Sequence, residues 1–520
     1  MSRKDNKRTT KSSSQVMVVK GKLDIVRSGM GFVIVEGMEK DILVRPNDFN
    51  RAFDGDIVRV QISKDAKHGK RIEGKIIDIA ERKQTEFIGN IQMGNNFAFF
   101  VPNTKNPIPD FYISLDKLNG AVDKDRVVVR LLKWDKDTKK PEGEVVSVIK
   151  ASDMGDMAMK EILLEAGFPL VFDKEVLDAA NELTETVTRE ELKKRKDFRE
   201  ILTFTIDPVD AKDFDDAISF KAINDDEFEI GVHIADVSHF VTPDSILDKA
   251  AYERATSVYL PDRVNPMLPE KISNELCSLR PHEDKYTFSA VFVMNKKGAI
   301  KNKWIGRTVI HSDHRFTYED VQEIIETKEG LYSDSILLLN ELAQQFRKER
   351  FNNGAINFSS QEVRFKLDET GKPIGIVVKE SKEAYQLIEE FMLLANRNVA
   401  EYVSSIQVDK KPIPFPYRIH DTPDEEKMLP FVAFAKKFGH KFDMTDEVSI
   451  AKSFNKMLEE VKGKPEQHVL EQLGIRTMAK AIYTSENIGH YGLGFENYCH
   501  FTSPIRRYPD VMVHRIVQEC

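Results

Sequence analysis

The sequence predicts two small all-β barrels in tandem, followed by one large α+β domain. Three observations carry this prediction. Short β-branched runs fill residues 16–150 and recur at a fixed offset. From about 151 onward, helical periodicity alternates with strand-like runs. No Pro- or Ser-rich linker divides 151–520, so that stretch reads as one domain. With 41% hydrophobic and 31% charged residues, the 520-residue chain has a globular balance and is not disordered throughout.

Residues 1–15 (MSRKDNKRTTKSSSQ) read as a basic flexible tail, in which Arg3, Lys4, Lys7, Arg8 and Lys11 outnumber Asp5. The tail is either simply solvated or a weak phosphate-binding arm. It has no apolar segment of the kind a secretory signal needs. The first barrel is expected over 16–82, where GFVIVEG (31–37), DILVRP (41–46) and DGDIVRVQI (54–62) are bounded by Gly, Asp and Pro. The second is expected over 83–150. DGDIVRV (54–60) returns there as DKDRVVV (123–129), and EGKIIDI (73–79) as EGEVVSVI (142–149), both at an offset of 69. NFAFFVP (96–102) echoes GFVIV (31–35). Matched segments at one offset indicate two copies of one module. Each copy is long enough for a five-stranded barrel. Such barrels bind single strands by stacking bases on exposed aromatics. Phe32, Phe97, Phe99 and Phe100 are the candidates. Strand alternation puts Phe97 and Phe99 on one face and Phe100 on the other, so one set is core.

In 151–520, helices are expected at 156–167, 174–200, 335–351, 383–404 and 446–482. The strand-like runs are ILTFTI (201–206), FEIGVHIADV (228–237), YTFSAVFVM (286–294) and KWIGRTVIHS (303–312). A net charge of −8 excludes a uniformly basic nucleic-acid coat but not a local basic channel. Cys277, Cys499 and Cys520 are too scattered for a disulfide framework or a thiolate zinc site. No apolar run approaches the ~18 residues of a membrane span. A cytoplasmic protein with no membrane partner is expected.

The most informative segment is FTIDPVDAKDFDDAISF (204–220), which places Asp207, Asp210, Asp213, Asp215 and Asp216 within ten residues. Two carboxylates about 4 Å apart repel by roughly 4 kcal/mol at an effective dielectric near 20, so the cluster calls for a cation. Oxygen ligands without nearby cysteine favour Mg²⁺ or Mn²⁺. A calcium loop fails, because no Glu stands at position 12 from Asp207, Asp210 or Asp213. A hydrolytic metal site acting on phosphate remains, beside the plain alternative of an acidic surface loop. HIADVSHF (233–240) suggests zinc through His233, Asp236 and His239. On a strand, however, Asp236 would point away from both histidines, which favours a structural or channel-lining role.

The form T-I-D-P-x-D-A-K-D-x-D-D-A resembles the signature of the RNB family of exoribonucleases, which includes ribonuclease II and ribonuclease R. In the family's order follow HIADVSHFV (233–241), SVYLPDRVNPMLPEKISNELCSL (257–279), GAINF (354–358), LIEEFMLLAN (387–396), YRIHDTP (417–423) and HFTSPIRRYPDVMVHR (500–515). The tandem modules resemble the family's cold-shock-type OB domains. The resemblance spans 16–520, with wording nearer the ribonuclease R branch. It implies two OB barrels and an RNB catalytic domain. The implied activity is 3′→5′ hydrolysis of single-stranded RNA to nucleoside 5′-monophosphates by Mg²⁺ (or Mn²⁺) chemistry. Asp207 and Asp216 are then ligands of a first metal, Asp215 serves a second metal or the attacking water, and Asp213 supports the site. Arg506 matches the family's catalytic arginine. Arg507 is either a further RNA contact or half of an ion pair with Asp510. Tyr259 and Phe358 match the aromatic pair that clamps terminal bases, and Glu389 a contact to a ribose hydroxyl. Implied partners are single-stranded RNA, the RNA-degradation machinery or the ribosome, with the chain itself a monomer. The family continues past the H-R motif into a third OB barrel, whereas the sequence stops at Cys520. An incomplete catalytic domain without that barrel is therefore expected, and a non-catalytic RNA-binding protein is the alternative.

Overall fold

The computed structural model describes residues 17–520 apart from 27, 39, 63–71, 104–107, 136–137, 139, 150–153, 185–186, 262, 359–361, 369–372 and 380–381. The basic tail 1–15 lies outside the described residues. The chain forms two compact units, the first ending at Val171 and the second starting at Phe172.

The first unit holds two closed five-stranded barrels. Strands β1 (Val18–Ile25), β2 (Gly31–Ile34), β3 (Ile42–Val44), β4 (Ile57–Ile62) and β5 (Glu73–Glu81) form one. The other comprises β6 (Glu86–Met93), β7 (Ala98–Pro102), β8 (Phe111–Ile113), β9 (Arg126–Lys133) and β10 (Glu142–Ile149). The repeat is physical: β3 and β8, β4 and β9, and β5 and β10 start at the offset of 69 seen in the sequence. The repeated Glu-Gly has a packing cause. A Cβ at Gly74 would lie 2.5 Å from Val60 Cγ1, and one at Gly143 2.6 Å from Val129 Cγ1. Leu23, Val33 and Val58 fill the first barrel, and Ile91, Phe111 and Val127 the second. Phe100 belongs to that core, fully buried. Phe97 and Phe99 face outward, ring centroids 5.1 Å apart, with Tyr112 beside Phe97 and Lys140 Nζ 3.9 Å from the Phe99 ring centre. Helix Met154–Glu165 belongs to this unit as well, past the expected domain boundary at 150. Leu164 packs with Ile88, Val128 and Ile149, and Glu161 pairs with Arg126 at 2.6 Å.

The second unit is built on a seven-stranded sheet of β11 (Lys196–Asp197), β12 (Thr203–Asp207), β13 (Asp216–Ala222), β14 (Glu227–Ala235), β17 (Asp284–Asn295), β18 (Ile300–His311) and β19 (His314–Thr317). The ribbon β15 (Val258–Tyr259) and β16 (Val264–Asn265) stands apart from it. The sheet order is β11-β18-β17-β14-β13-β12-β19, antiparallel except for the two end pairs, β11 with β18 and β12 with β19. Both faces are covered. Ile218, Ile230, Val232 and Phe288 point into a core shared with helices Tyr318–Thr327, Ser333–Asn352 and Glu383–Ser404. Ala217, Ala235 and Val291, one step out of phase, point into a second core with Leu247 and Ile272. A third cluster joins helices Glu425–Lys436, Glu447–Val461 and Gln467–Thr477.

Three expected elements differ. The helix at 174–200 is two, Lys174–Glu182 and Arg189–Leu192, because Thr188 caps a new start by accepting the Glu191 N–H. The helix at 446–482 breaks where Gly463 takes φ 75° ahead of Pro465. The strand expected through 237 ends at Ala235, and Val237–Phe240 is a helical turn. Among the described residues no helix is long and apolar enough to cross a membrane.

Candidate active site

Asp207 ends β12 and Asp216 begins β13, its antiparallel neighbour. Thr203 pairs with Ser219 and Phe204 with Ile218, so both aspartates emerge at the same end of the sheet. The loop between them carries Asp210, Asp213 and Asp215. Asp210 is exposed on the turn. Asp213 accepts a hydrogen bond from Tyr259 Oη at 3.0 Å. Asp215 is buried: its Oδ1 accepts the Ile505 N–H at 3.0 Å, and its Oδ2 lies 3.6 Å from Arg506 Nε. The 503–507 segment thus closes the site from the far end of the chain.

The electrostatics are those of a site short of positive charge. Burial pushes the Asp207 carboxyl up to about 7; Thr205 and Arg315 oppose the shift, and the charges of Asp215 and Asp213 add to it. Asp216 is raised similarly by burial and by Asp207. Burial holds Asp215 well above the usual carboxylate range despite Arg506 and the Ile505 N–H. Asp207 Oδ2 is buried with no hydrogen-bond donor. Among the described residues, no three carboxylate, imidazole or thiol groups are gathered tightly enough to form a complete coordination shell. The aspartates are close enough to perturb one another without sharing one coordination point, as mutually repelling carboxylates arrange themselves.

The remaining expected residues separate into two groups. Tyr259 is half exposed at the edge of the acidic cluster, and Arg506 is exposed. Glu389 lies on helix Glu383–Ser404, partly exposed, 3.5 Å from Arg350 Nη2. Two others are already engaged. Phe358 packs in the helical cluster, its ring centroid 5.6 Å from that of Phe454. Arg507, expected either on RNA or on Asp510, grips Asp510 with two hydrogen bonds of 2.8 and 2.9 Å. Asp510 also accepts the Ser503 N–H, so this pair shapes the loop that presents Ile505 and Arg506.

HIADVSHF is structural. His233 sits between Ser219 Oγ and Ser289 Oγ at 2.8 and 2.7 Å, and burial lowers it to about 3, which keeps it neutral. Burial would raise Asp236, but Arg195 at 2.8 Å and Arg307 at 3.2 Å outweigh that and keep it ionised.

Sequence reasoning missed two neighbours of the cluster. Arg315 on β19 reaches the loop that follows Asp207. Tyr318 opens helix Tyr318–Thr327, and its hydroxyl is raised by burial and by Asp216 and Asp207. A signal was present. Thr317 and Asp320 form a capping box, fixing Tyr318 as the first helical residue directly after β19.

Comparison with known proteins divides the chain into the same kinds of domain. The RNB domain family matches residues 195–520, the ribonuclease B OB domain 21–79 and the cold shock domain 99–173. Ribonuclease R 1 of Lactococcus lactis is 36% identical over 97% of this chain and 63% of its own length. Ribonuclease R of Aquifex aeolicus is 33% identical over 98% of this chain and 74% of its own, and that of Thermotoga maritima 36% over 96% and 70%. The chain therefore spans less than two thirds of the first of these relatives. Among solved structures, RNase R of Mycoplasma genitalium matches in its apo form at TM-score 0.78 and 27% identity, over 96% of this chain and 79% of that one. Its complex with ribose-methylated single-stranded RNA matches at 0.77. Yeast Ssd1, a pseudonuclease, shares the fold at TM-score 0.68 and 21% identity, over 96% of this chain and 68% of that one.

Proposed function

The chain belongs to the RNB family, and from that premise we propose that it is a ribonuclease R-type exoribonuclease, trimming single-stranded RNA from the 3′ end to nucleoside 5′-monophosphates. The observation that carries the proposal is the meeting of Asp207, Asp213, Asp215 and Asp216 with Arg506 at one sheet end. The pseudonuclease relative shows that the fold alone does not decide the activity. These side chains are the ones that bear on it.

The donor set fits a hard divalent cation. All four groups are carboxylates, Asp207 Oδ2 has no donor, and burial leaves Asp207 and Asp216 awaiting a positive partner. Asp207 and Asp216 would hold Mg²⁺ or Mn²⁺, with Asp215 and Asp213 completing the site. Bound there, the metal supplies an acidified water and charge neutralisation at phosphorus. The protein's own groups do the rest. Arg506 is anchored through Ser503 Oγ at 3.1 Å and held near Asp215, leaving an exposed cation for the scissile phosphate. Tyr259 offers its exposed ring to the terminal base. Glu389, beside Arg350, would contact a ribose hydroxyl, the group that distinguishes RNA from DNA. Outward-facing Phe97, Phe99 and Tyr112 with Lys140 offer the bases of single-stranded RNA a stacking surface.

The test is a 5′-labelled single-stranded RNA resolved on a denaturing gel, with Mg²⁺ or chelator, for the unmutated protein and Asp215→Asn. Metal-dependent shortening from the 3′ end, lost in the variant, is expected. Bound but intact RNA with the unmutated protein would overturn the enzymatic reading and favour an RNA-binding role.

A further inference from the structure

Between Asp207 and Asp215 the chain leaves the sheet and must return so that Asp213 and Asp215 face Asp207. The returning limb is tied to 235 and 278–279: the Phe214 carbonyl accepts the Leu279 N–H at 3.0 Å, and the Asp215 carbonyl accepts the Ala235 N–H at 2.8 Å. Ser278 Oγ bridges Lys212 and Phe214, but none of these bonds joins the limb to 208–209. One side chain from another strand touches both limbs of the loop. Arg315 on β19 lies opposite Thr205 in the parallel pairing, on the face that Thr205 and Asp207 share. Its Nη2 donates to the Pro208 carbonyl at 2.6 Å and the Val209 carbonyl at 3.0 Å. Its guanidinium also lies over the ring of Phe214, 5.2 Å from the centroid. Phe214 is buried and stands between Asp213 and Asp215.

We infer that Arg315 is a positioning residue of the acidic site, holding the outgoing and returning limbs of the 208–214 loop so that its aspartates meet Asp207. The inference rests on the reading of the four aspartates as a metal site. The guanidinium is suited to both tasks. Its planar face stacks on an aromatic ring while its edge donates in fixed directions. A lysine ammonium can reach the carbonyls but cannot stack in this way. The positive charge also opposes the repulsion among the carboxylates around Asp207, which Arg315 already draws down. Arg315 touches no reacting atom in this scheme. It acts through the backbone of 208–209 and the ring of Phe214.

The experiment measures Mn²⁺ binding to the full chain in the absence of RNA, by electron paramagnetic resonance of the free ion, for the unmutated protein, Arg315→Met and Arg315→Lys. Single-stranded RNA affinity in chelator and single-turnover cleavage accompany it. Groups behind metal ligands typically change metal affinity by 10–100-fold, so Arg315→Met should weaken Mn²⁺ by about that factor. Arg315→Lys should fall in between. RNA affinity in chelator should stay within about twofold, and cleavage at saturating RNA should recover partly as Mn²⁺ is raised. Mn²⁺ binding unchanged in both variants, with the unmutated protein binding normally, overturns the positioning role and leaves the metal site standing. If the unmutated protein binds no Mn²⁺, the reading of the aspartates fails first. If Arg315→Met does not fold, the lysine variant decides alone: full Mn²⁺ affinity there refutes a role for the stacked fork.

Discussion

Asp207→Asn should make the metal-free protein more stable at alkaline pH, and this follows from the burial of the site. Asp207 is only 8% exposed, and its carboxyl is moved from 3.8 to about 7, chiefly by burial. An acid whose folded pKa is raised binds its proton more tightly when folded. Below pH 3.8 the group is protonated in both states and costs nothing. Between 3.8 and 7 the unfolded chain ionises first, and stability declines. Above 7 the full cost applies. At 1.36 kcal/mol per pH decade the loss is about 1.5 kcal/mol at pH 5 and about 4 kcal/mol at pH 8, in part shared with Asp216. For a unit of this size, about 4 kcal/mol corresponds to roughly 5 °C in melting temperature. The assay is thermal melting in chelator at pH 5 and pH 8, repeated with millimolar Mn²⁺. The unmutated protein should lose more stability than Asp207→Asn between the two pH values and recover with Mn²⁺ at pH 8. The variant should melt higher than the unmutated protein in chelator at pH 8, gain little from metal and lack nuclease activity. Parallel pH profiles, or equal gains from Mn²⁺, would refute the argument that Asp207 is ionised at a cost only a cation relieves.

Other expectations follow from neighbouring contacts. Arg506→Ala should lower cleavage at saturating RNA by about 10²–10³-fold, the scale of one lost transition-state donor, measured under single-turnover conditions. Arg507→Ala should instead cost about 3 kcal/mol of stability, since it strands the fully buried Asp510 carboxylate, and melting curves would show it. Tyr259→Ala should weaken binding of short RNAs by about 1–3 kcal/mol, the worth of one base stack, while Tyr259→Phe keeps that affinity in direct titrations. Phe99→Ala should weaken long but not dinucleotide-length RNA, measured as a chain-length-dependent rise in KM.

The legible parts of this protein were those where a local rule suffices. The barrel repeat could be read because matched strands share one offset, and the glycines at 74 and 143 recur for a shared steric reason. The split between Phe100 and the Phe97–Phe99 pair followed from strand alternation, with the buried side then settled by packing. The aspartate cluster was visible because its members are close in sequence. What escaped was non-local or hinged on one residue. Thr188 starts a new helix and Gly463 follows the end of one, within stretches whose apolar periodicity runs on past them. Phe358 matched a recognition motif by position, but position says nothing of a ring packed on Phe454, whereas the Arg507–Asp510 pair, three residues apart, was among the alternatives the sequence offered. Arg315 and Tyr318 stand on β19 and the helix that follows it, and only the parallel pairing of β12 with β19 brings them to the aspartates.

That pairing also explains how the sheet becomes a reactive centre. Strand ends expose backbone groups and allow close approach of side chains from adjacent strands, so an acidic cluster can gather there without disturbing the interior. The cost is repulsion, and the second unit meets it with cations of two kinds. Arg315 is committed to the loop itself, while Arg506 is presented by a segment that Asp510 and Arg507 shape from behind. Asp215 couples the two ends of the unit, because its oxygens take both the Ile505 N–H and the approach of Arg506. Loosening the 503–507 segment would therefore unseat a carboxylate and a cation together. For that reason Arg507→Ala, though designed against stability, should also reduce cleavage, and should do so more than its effect on RNA affinity.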